Sequence, residues 1–169
     1  RIAENKILVF SKKDNNFPDG ITYYAQVNSK KVEDLNANLQ IISIKMRKDY
    51  ALLITMSQMQ EIPVYIVFQA LGIVSDKAIN SYIMYNENDT DMNNILKFSL
   101  NNYKEETWKD EQGNINYVRS QEDAVNYLIT KMKIIGKRFS ETNAEVRAMQ
   151  RREHLLMVLE RDLFPHMGP

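Results

Sequence analysis

Residues 61–79 read EIPVYIVFQALGIVSDKAI, and the hydrophobic pattern of the chain changes within this stretch. Its apolar side chains recur at the i, i+3, i+4, i+7 spacing of one helix face: Val64, Val67, Phe68 and Leu71. Pro63 suits the first helical position, and Gly72 suits the left-handed residue that ends many helices. The stretch therefore predicts a short, well-buried helix that begins at Pro63 and is closed by Gly72.

The residues before this stretch have the β-branched and aromatic character of strands. We predict strands at residues 7–10, 21–27, 39–46 and 51–56. The run 14–20, DNNFPDG, separates the first two strands and is rich in turn-forming residues. Short connections of this kind favour antiparallel pairing, so an antiparallel sheet is the prediction for the first third of the chain.

Further helices are predicted after residue 72. Ser75 is placed to cap a second helix, and the polar tract 86–91 ends that helix and caps a third. A small hairpin around Gly113 follows in the polar stretch 104–119.

Two more helices complete the predicted order of elements. Ser120 and Asp123 have the spacing of a capping box for the fourth helix, which we expect Gly136 to close. The last helix is predicted from about residue 143 to 163, because Pro165 disfavours helical geometry at the residue before it. Strands followed by helices indicate an α+β fold, strand-rich over 1–58 and helix-rich over 61–166.

The composition excludes several classes of protein. The 169 residues carry 22 Lys and Arg against 22 Asp and Glu, so the chain lacks the excess positive charge of a protein that wraps nucleic acid. It has no cysteine, which excludes disulfides, thiol chemistry and zinc ribbons. No apolar run approaches the roughly 20 residues that span a bilayer, so no membrane partner is expected.

The side chains that could carry chemistry are few and scattered. The five glycines, at 20, 72, 113, 136 and 168, are too far apart to form a phosphate-binding loop. Asp89 and Asp91 have a spacing that could seat a cation, but a helix-capping turn is the favoured interpretation because the rest of a calcium loop is missing. His154 and His166 have no second ligand at i+4. We therefore predict no catalytic, cofactor-binding or metal-binding residue.

Basic and aromatic side chains near the carboxyl end are the candidates for contacts. Lys137, Arg138, Arg147 and Arg151 can form a modest anionic-contact patch for DNA or a protein factor, with the last two on one helix face. Acidic residues are interleaved with them, so an ordinary solvated face with i,i+4 ion pairs is the favoured interpretation. Trp108, the single tryptophan, is either a hydrophobic plug at the base of the hairpin or an exposed stacking platform.

Residues 62–79 also carry a resemblance. IPVYIVFQALGIVSDKAI is similar, almost position for position, to a segment in the lobe of second-largest subunits of eukaryotic-type DNA-directed RNA polymerases, nuclear or from large DNA viruses. Residues 83–100, the ending LERDLFPHMG at 159–168 and the opening strand at 1–10 resemble the same family, so the likeness covers nearly the whole chain. Two departures are Gln69, where the family usually has Arg, and residues 103–117, which have no clear counterpart.

The resemblance implies that residues 1–169 are a lobe domain, an internal piece of a much longer chain. Such a lobe forms part of the wall of the DNA cleft and a docking surface for transcription initiation factors during DNA-templated RNA synthesis. Its implied partners are the largest and other polymerase subunits, initiation factors, and downstream duplex DNA, which it would contact weakly and locally. The implied location is the nucleus for a cellular protein, and the virion or host cytoplasm for a viral one.

The resemblance also accounts for the lack of chemistry. The parent complex would be a nucleotidyltransferase, whereas the isolated fragment is expected to be inactive. The Mg and Zn of the parent enzyme are implied to lie outside the lobe, which would hold no cofactor itself.

Two other functions remain as alternatives. The first is a stand-alone protein-interaction adaptor, in which the sheet edge or the last helix binds a peptide or a partner helix. The second is a metal-dependent hydrolase built on Asp89 and Asp91.

Overall fold

The structure is a computed structural model, and it describes residues 5–17, 20–31, 38–133 and 143–165. Its elements in chain order are β1 Lys6–Lys13, β2 Ile21–Ser29, β3 Gln40–Met46, β4 Leu52–Thr55, β5 Ile62–Pro63, α1 Val64–Ala70, α2 Asp76–Ile83, α3 Thr90–Lys104, β6 Thr107–Lys109, β7 Ile115–Tyr117, α4 Gln121–Lys131 and α5 Ala144–Val158. A π-helical turn, Leu159–Leu163, follows α5 directly. The predicted α+β fold is confirmed, with a two-stranded hairpin inside the helical part.

The first five strands form one antiparallel sheet in the order β1-β2-β3-β4-β5. One row of cross-strand neighbours runs through the whole sheet: Val9, Ala25, Ile44, Ile54 and Ile62. Ile62 at one end of this row is fully buried under the helices, whereas Val9 at the other end is 76% exposed. The helical layer therefore covers only part of the sheet and leaves β1 open.

The helix predicted from the deciding stretch is confirmed, but its beginning differs. Pro63 is not its first residue: it has extended backbone geometry and pairs with Leu53 as part of β5. Proline is tolerated there because β5 is an edge strand and needs no N–H on its outer side. Gly72 has a φ of 98°, the left-handed conformation expected at the end of α1.

The predicted helix caps are confirmed. The Ser75 side chain accepts a hydrogen bond from the Ala78 N–H, and Asp89 accepts one from Met92. Ser120 and Asp123 form the complete capping box of α4.

The prediction that Gly136 closes the fourth helix is wrong, because α4 ends at Lys131; Gly136 itself lies outside the described residues. Met132 leaves the helix to form a β-bridge with Met59. The Gln60 N–H donates to the carbonyl oxygen of Lys131, and the Lys133 N–H donates to that of Gln58. These bonds to the β4–β5 connection replace the ones that another helical turn would have made.

The core lies between the sheet and the helices. The rings of Tyr65 and Tyr103 stack there with centroids 5.0 Å apart. Their hydroxyls donate to the side-chain oxygens of Asn80 and Asp76, at 2.5 Å and 2.8 Å. Burial raises the pKa of both phenols, so they remain neutral donors in the core. No helix among the described residues is long and apolar enough to cross a membrane.

Candidate interaction surface

The hairpin β6–β7 is built by a tight turn that presents Glu111. Gly113 has a φ of 85°, which glycine adopts without strain. The Asp110 carboxylate accepts hydrogen bonds from the backbone and side-chain N–H groups of Asn114, at 2.8 Å and 2.9 Å. The side-chain bond from Asn114 lowers the pKa of Asp110, so this carboxylate stays ionised and fixes the turn. Glu111 follows Asp110 in the sequence and lies at the tip of the hairpin.

Arg147 and Arg151 share a face of α5, as predicted, and both point at Glu111. The Arg151 Nη1 atom lies 3.3 Å from one carboxylate oxygen of Glu111, and the Arg147 Nη2 atom lies 3.8 Å from the other. Arg152 makes a separate pair with Glu122 of α4 at 3.1 Å. The expectation of i,i+4 pairs is wrong for these arginines, because their partners lie on other elements that the tertiary fold brings close.

A cavity of about 290 Å³ lies where the hairpin meets α4 and α5. We call it the hairpin cavity; it is lined by Trp108, Lys109, Asp110, Glu111, Gln112, Glu122, Asn126, Ile129, Thr130, Ala148, Arg151 and Arg152. Trp108 is partly buried and packs against the core, which confirms the plug interpretation over an exposed platform. Its Nε1 atom and the Nε atom of Arg151 are buried without an acceptor among the described residues.

The charges around the hairpin cavity are balanced. Three cations, Lys109, Arg151 and Arg152, stand against three carboxylates, Asp110, Glu111 and Glu122. Most of these groups already have partners, so little free charge remains to attract a polyanion. The arrangement suits weak, local, noncovalent contacts rather than tight binding of nucleic acid.

The other predicted residues lie away from this surface or outside the described part. Asp89 caps α3 and Asp91 is exposed in its first turn. His154 is partly buried in α5. Among the residues that the structure describes, no three His, Asp or Glu side chains lie close enough together to bind a metal ion. Lys137, Arg138 and His166 lie outside the described residues.

Sequence reasoning missed a second feature, the contact between the rings of Tyr50 and Phe98, which we call the aromatic pair. Tyr50 lies in the β3–β4 turn and has a φ of 63°, rare for a non-glycine residue. Its ring lies 5.9 Å from that of Phe98 on α3. The only signal in the sequence was a tyrosine in a turn position that glycine or asparagine usually occupies.

Comparisons with known proteins identify relatives along the whole chain. A family model described as "RNA polymerase Rpb2, domain 2" matches residues 3–169. DNA-directed RNA polymerase subunit 2 of Acanthamoeba polyphaga mimivirus is 27% identical over 162 residues, which is 96% of this chain and 12% of that protein. DNA-directed RNA polymerase II subunit RPB2 of Encephalitozoon cuniculi is 28% identical over 170 residues, 99% of this chain and 13% of that protein.

A third relative matches a shorter part. DNA-directed RNA polymerase II subunit 2 of Arabidopsis thaliana is 33% identical over 108 residues, 64% of this chain and 7% of the plant protein. The chain thus spans only about an eighth of the length of the first two relatives.

Proposed function

The chain belongs to the family of RNA polymerase Rpb2, domain 2, and on that premise we propose that it is the lobe of the second-largest subunit of a DNA-directed RNA polymerase. The observation that carries the proposal is the match over residues 3–169, which takes in both the sheet and the helical part. In this role the chain forms part of the DNA cleft wall and a docking surface for initiation factors. Its partners are the other polymerase subunits, in the nucleus or in a viral setting.

The distribution of charge supports a wall that borders DNA without holding it tightly. A polymerase must move along its template, so a strongly basic wall would add an electrostatic drag at every step. Here Arg147 and Arg151 are both engaged by Glu111, and Arg152 by Glu122. We propose that Arg147 and Arg151, with Lys137 and Arg138, provide the weak contacts to downstream DNA or to a factor.

The parent enzyme would perform the chemistry elsewhere. We place its Mg and Zn outside this chain, whose task is then to position partners. The sequence has no cysteine for a zinc site, which supports this division of labour.

Exposed apolar surfaces support a place inside a larger assembly. The edge strand β1 leaves Ile7 and Val9 more than two-thirds exposed, and α5 exposes Met149 and Leu156. An open apolar edge strand is an aggregation hazard unless another chain or domain covers it. These surfaces also suit the alternative of a stand-alone adaptor, which would bind its partner without any polymerase subunit.

Site-specific crosslinking in the assembled polymerase tests the proposal. A photoreactive phenylalanine analogue replaces Gln112 at the hairpin tip, with Lys77 on α2 as the matched exposed control. We expect the Gln112 variant to crosslink downstream DNA or an initiation factor, and the Lys77 variant to give neither product. If tagged second subunit fails to co-purify with the largest subunit, or if the isolated chain adds nucleotides by itself, the proposal is wrong. Capture of one specific partner without polymerase would favour the adaptor.

A further inference from the structure

The side of α5 that faces away from the core is apolar, whereas the outer side of a surface helix is ordinarily polar. Leu155 and Val158 define the inner side, since both are almost completely buried. Four apolar side chains lie on the opposite side at helical spacing, and we call them the α5 stripe: Val146, Met149, Leu156 and Met157. Each is at least 40% exposed. A contiguous apolar surface of this kind marks a place where another molecule binds.

The shape of the α5 stripe suits a partner helix. Its residues all belong to the one regular helix Ala144–Val158, so the stripe is straight. From Val146 to Met157 it extends about 16 Å, at the helical rise of roughly 1.5 Å per residue. A ridge of this length matches about three turns of a second helix packed along it. Two of its four side chains are methionines, which adapt readily to the shape of a partner.

The charge beside the α5 stripe is negative. Glu153 lies between Met149 and Leu156 on the same side of the helix, and Glu160 follows Leu156 by four residues, in the π-helical turn. Both glutamates are exposed, and neither makes an ion pair with any residue in the described part of the chain. The three arginines of α5, in contrast, are all engaged by carboxylates of the hairpin and of α4. The stripe therefore combines apolar side chains with unpaired carboxylates.

We propose that the α5 stripe binds a basic amphipathic helix of a protein partner. The apolar side of that helix packs on the stripe, and its lysines or arginines lie opposite Glu153 and Glu160. The same two carboxylates repel polyanions and anionic lipid surfaces. They also disfavour a second copy of this chain, since an antiparallel pair of α5 helices would bring the central Glu153 of each copy together. The inference deepens the proposed docking role and rests on it for the setting in which the partner is met.

Fluorescence anisotropy with designed peptides and the full-length protein tests this. The probe is a fluorescein-labelled helical peptide of about fourteen residues, with leucines at the i, i+3, i+4, i+7 spacing and lysines elsewhere. A second peptide has glutamate in place of every lysine, and a third has the composition of the first in scrambled order. We expect the lysine peptide to bind about tenfold more tightly than the glutamate peptide at low salt, and the scrambled peptide not to bind measurably.

Substitutions in the α5 stripe identify where the peptide binds. Leu156→Ala and Met149→Ala should each weaken binding of the lysine peptide by roughly fivefold, because each removes apolar carbons from the contact. Both side chains are exposed, so the variants should fold like the wild type. Ile7→Ala is the matched control, since Ile7 is 70% exposed on β1, away from α5.

The salt dependence tests the carboxylates. Glu153→Gln should weaken binding of the lysine peptide by about twofold at low salt and leave it unchanged in 1 M salt, whereas Glu105→Gln, an exposed glutamate at the end of α3, should have no effect. The inference is overturned if the lysine peptide does not bind, or if it binds equally well to both apolar variants. Tighter binding of the glutamate peptide, or self-association of the protein that Leu156→Ala abolishes, also overturns it. The proposed polymerase role is tested separately, by co-purification of the largest subunit, and its failure would leave the peptide result standing.

Discussion

Substitution of Glu111 by Gln tests whether this carboxylate restrains the two arginines that we propose as contacts. Glu111→Gln keeps the shape of the side chain but removes the negative charge that faces Arg147 and Arg151. Both guanidinium groups would then be free to turn towards an anionic partner. We therefore expect lower stability of the free chain together with stronger binding of duplex DNA.

The magnitude follows from the exposure of the three side chains. Glu111 is 41% exposed and each arginine 32%, so water and salt screen both pairs. Exposed or half-exposed ion pairs contribute about 0.2–1 kcal/mol each, so losing two should lower the free energy of unfolding by roughly 0.5–1.5 kcal/mol. For a chain of this size, that is about 1–6 °C in Tm. Freeing two cations should steepen the salt dependence of duplex binding by up to roughly 1.8 in the log–log slope.

Urea denaturation and fluorescence anisotropy with a labelled twenty-base-pair duplex measure both effects. Glu122→Gln is the matched control, since it frees only Arg152 from a more exposed pair and should cost less than about 0.5 kcal/mol. A stability loss for Glu111→Gln that persists unchanged in 1 M salt would show that the pairs are not its cause. Duplex binding that is weaker or unaltered would refute the role assigned to Arg147 and Arg151.

Two further predictions concern the stability of the fold that supports these surfaces. Gly72→Ala should lower the free energy of unfolding by about 1–2 kcal/mol, because a φ of 98° is unfavourable for any residue with a Cβ. Space is not the reason, since the atom nearest to the new Cβ, the Gln121 Nε2, is at 3.5 Å. Urea denaturation measures this loss, and a loss below about 0.3 kcal/mol would contradict the left-handed conformation at the end of α1. At alkaline pH the buried phenol of Tyr127 should lower the stability of the folded chain. Burial, and then the hydrogen bond to Glu106, raise its pKa, so the unfolded state loses this proton first and stability falls as the pH rises above about 10. Tyr127→Phe should flatten this fall in the urea midpoint between about pH 9 and 11, with Tyr85→Phe as the control; equal slopes in both variants would refute it.

The locally determined parts of the fold could be predicted from the sequence. The caps at Ser75 and Ser120 need only hydrogen bonds to groups three residues away, so a short sequence window contains all that determines them. The helix over residues 64–70 and the strands before it follow from hydrophobic spacing in the same way. The family resemblance could also be recognised from a short stretch, since residues 62–79 contain both the hydrophobic pattern of the buried helix and the Ser75 cap of the next one.

The site could be predicted only in part. The shared helix face of Arg147 and Arg151 follows from their spacing of four residues. Their partner Glu111 could not be predicted, because it lies 40 residues from Arg151 along the chain and only the packing of the hairpin on α5 brings it near.

The sequence by itself determined most of the order of the elements and the helix caps, because these depend on contacts within a few residues, and it carried the resemblance to the family. Tertiary structure decided the rest. It ended α4 at Lys131 through the Met59–Met132 bridge, and it fixed the strained Tyr50 beside Phe98 through the bond from Asn102 to Asp49. Those contacts join residues more than fifty positions apart. The local pattern of hydrophobic residues in a sequence does not determine which distant groups come into contact when the hydrophobic faces pack.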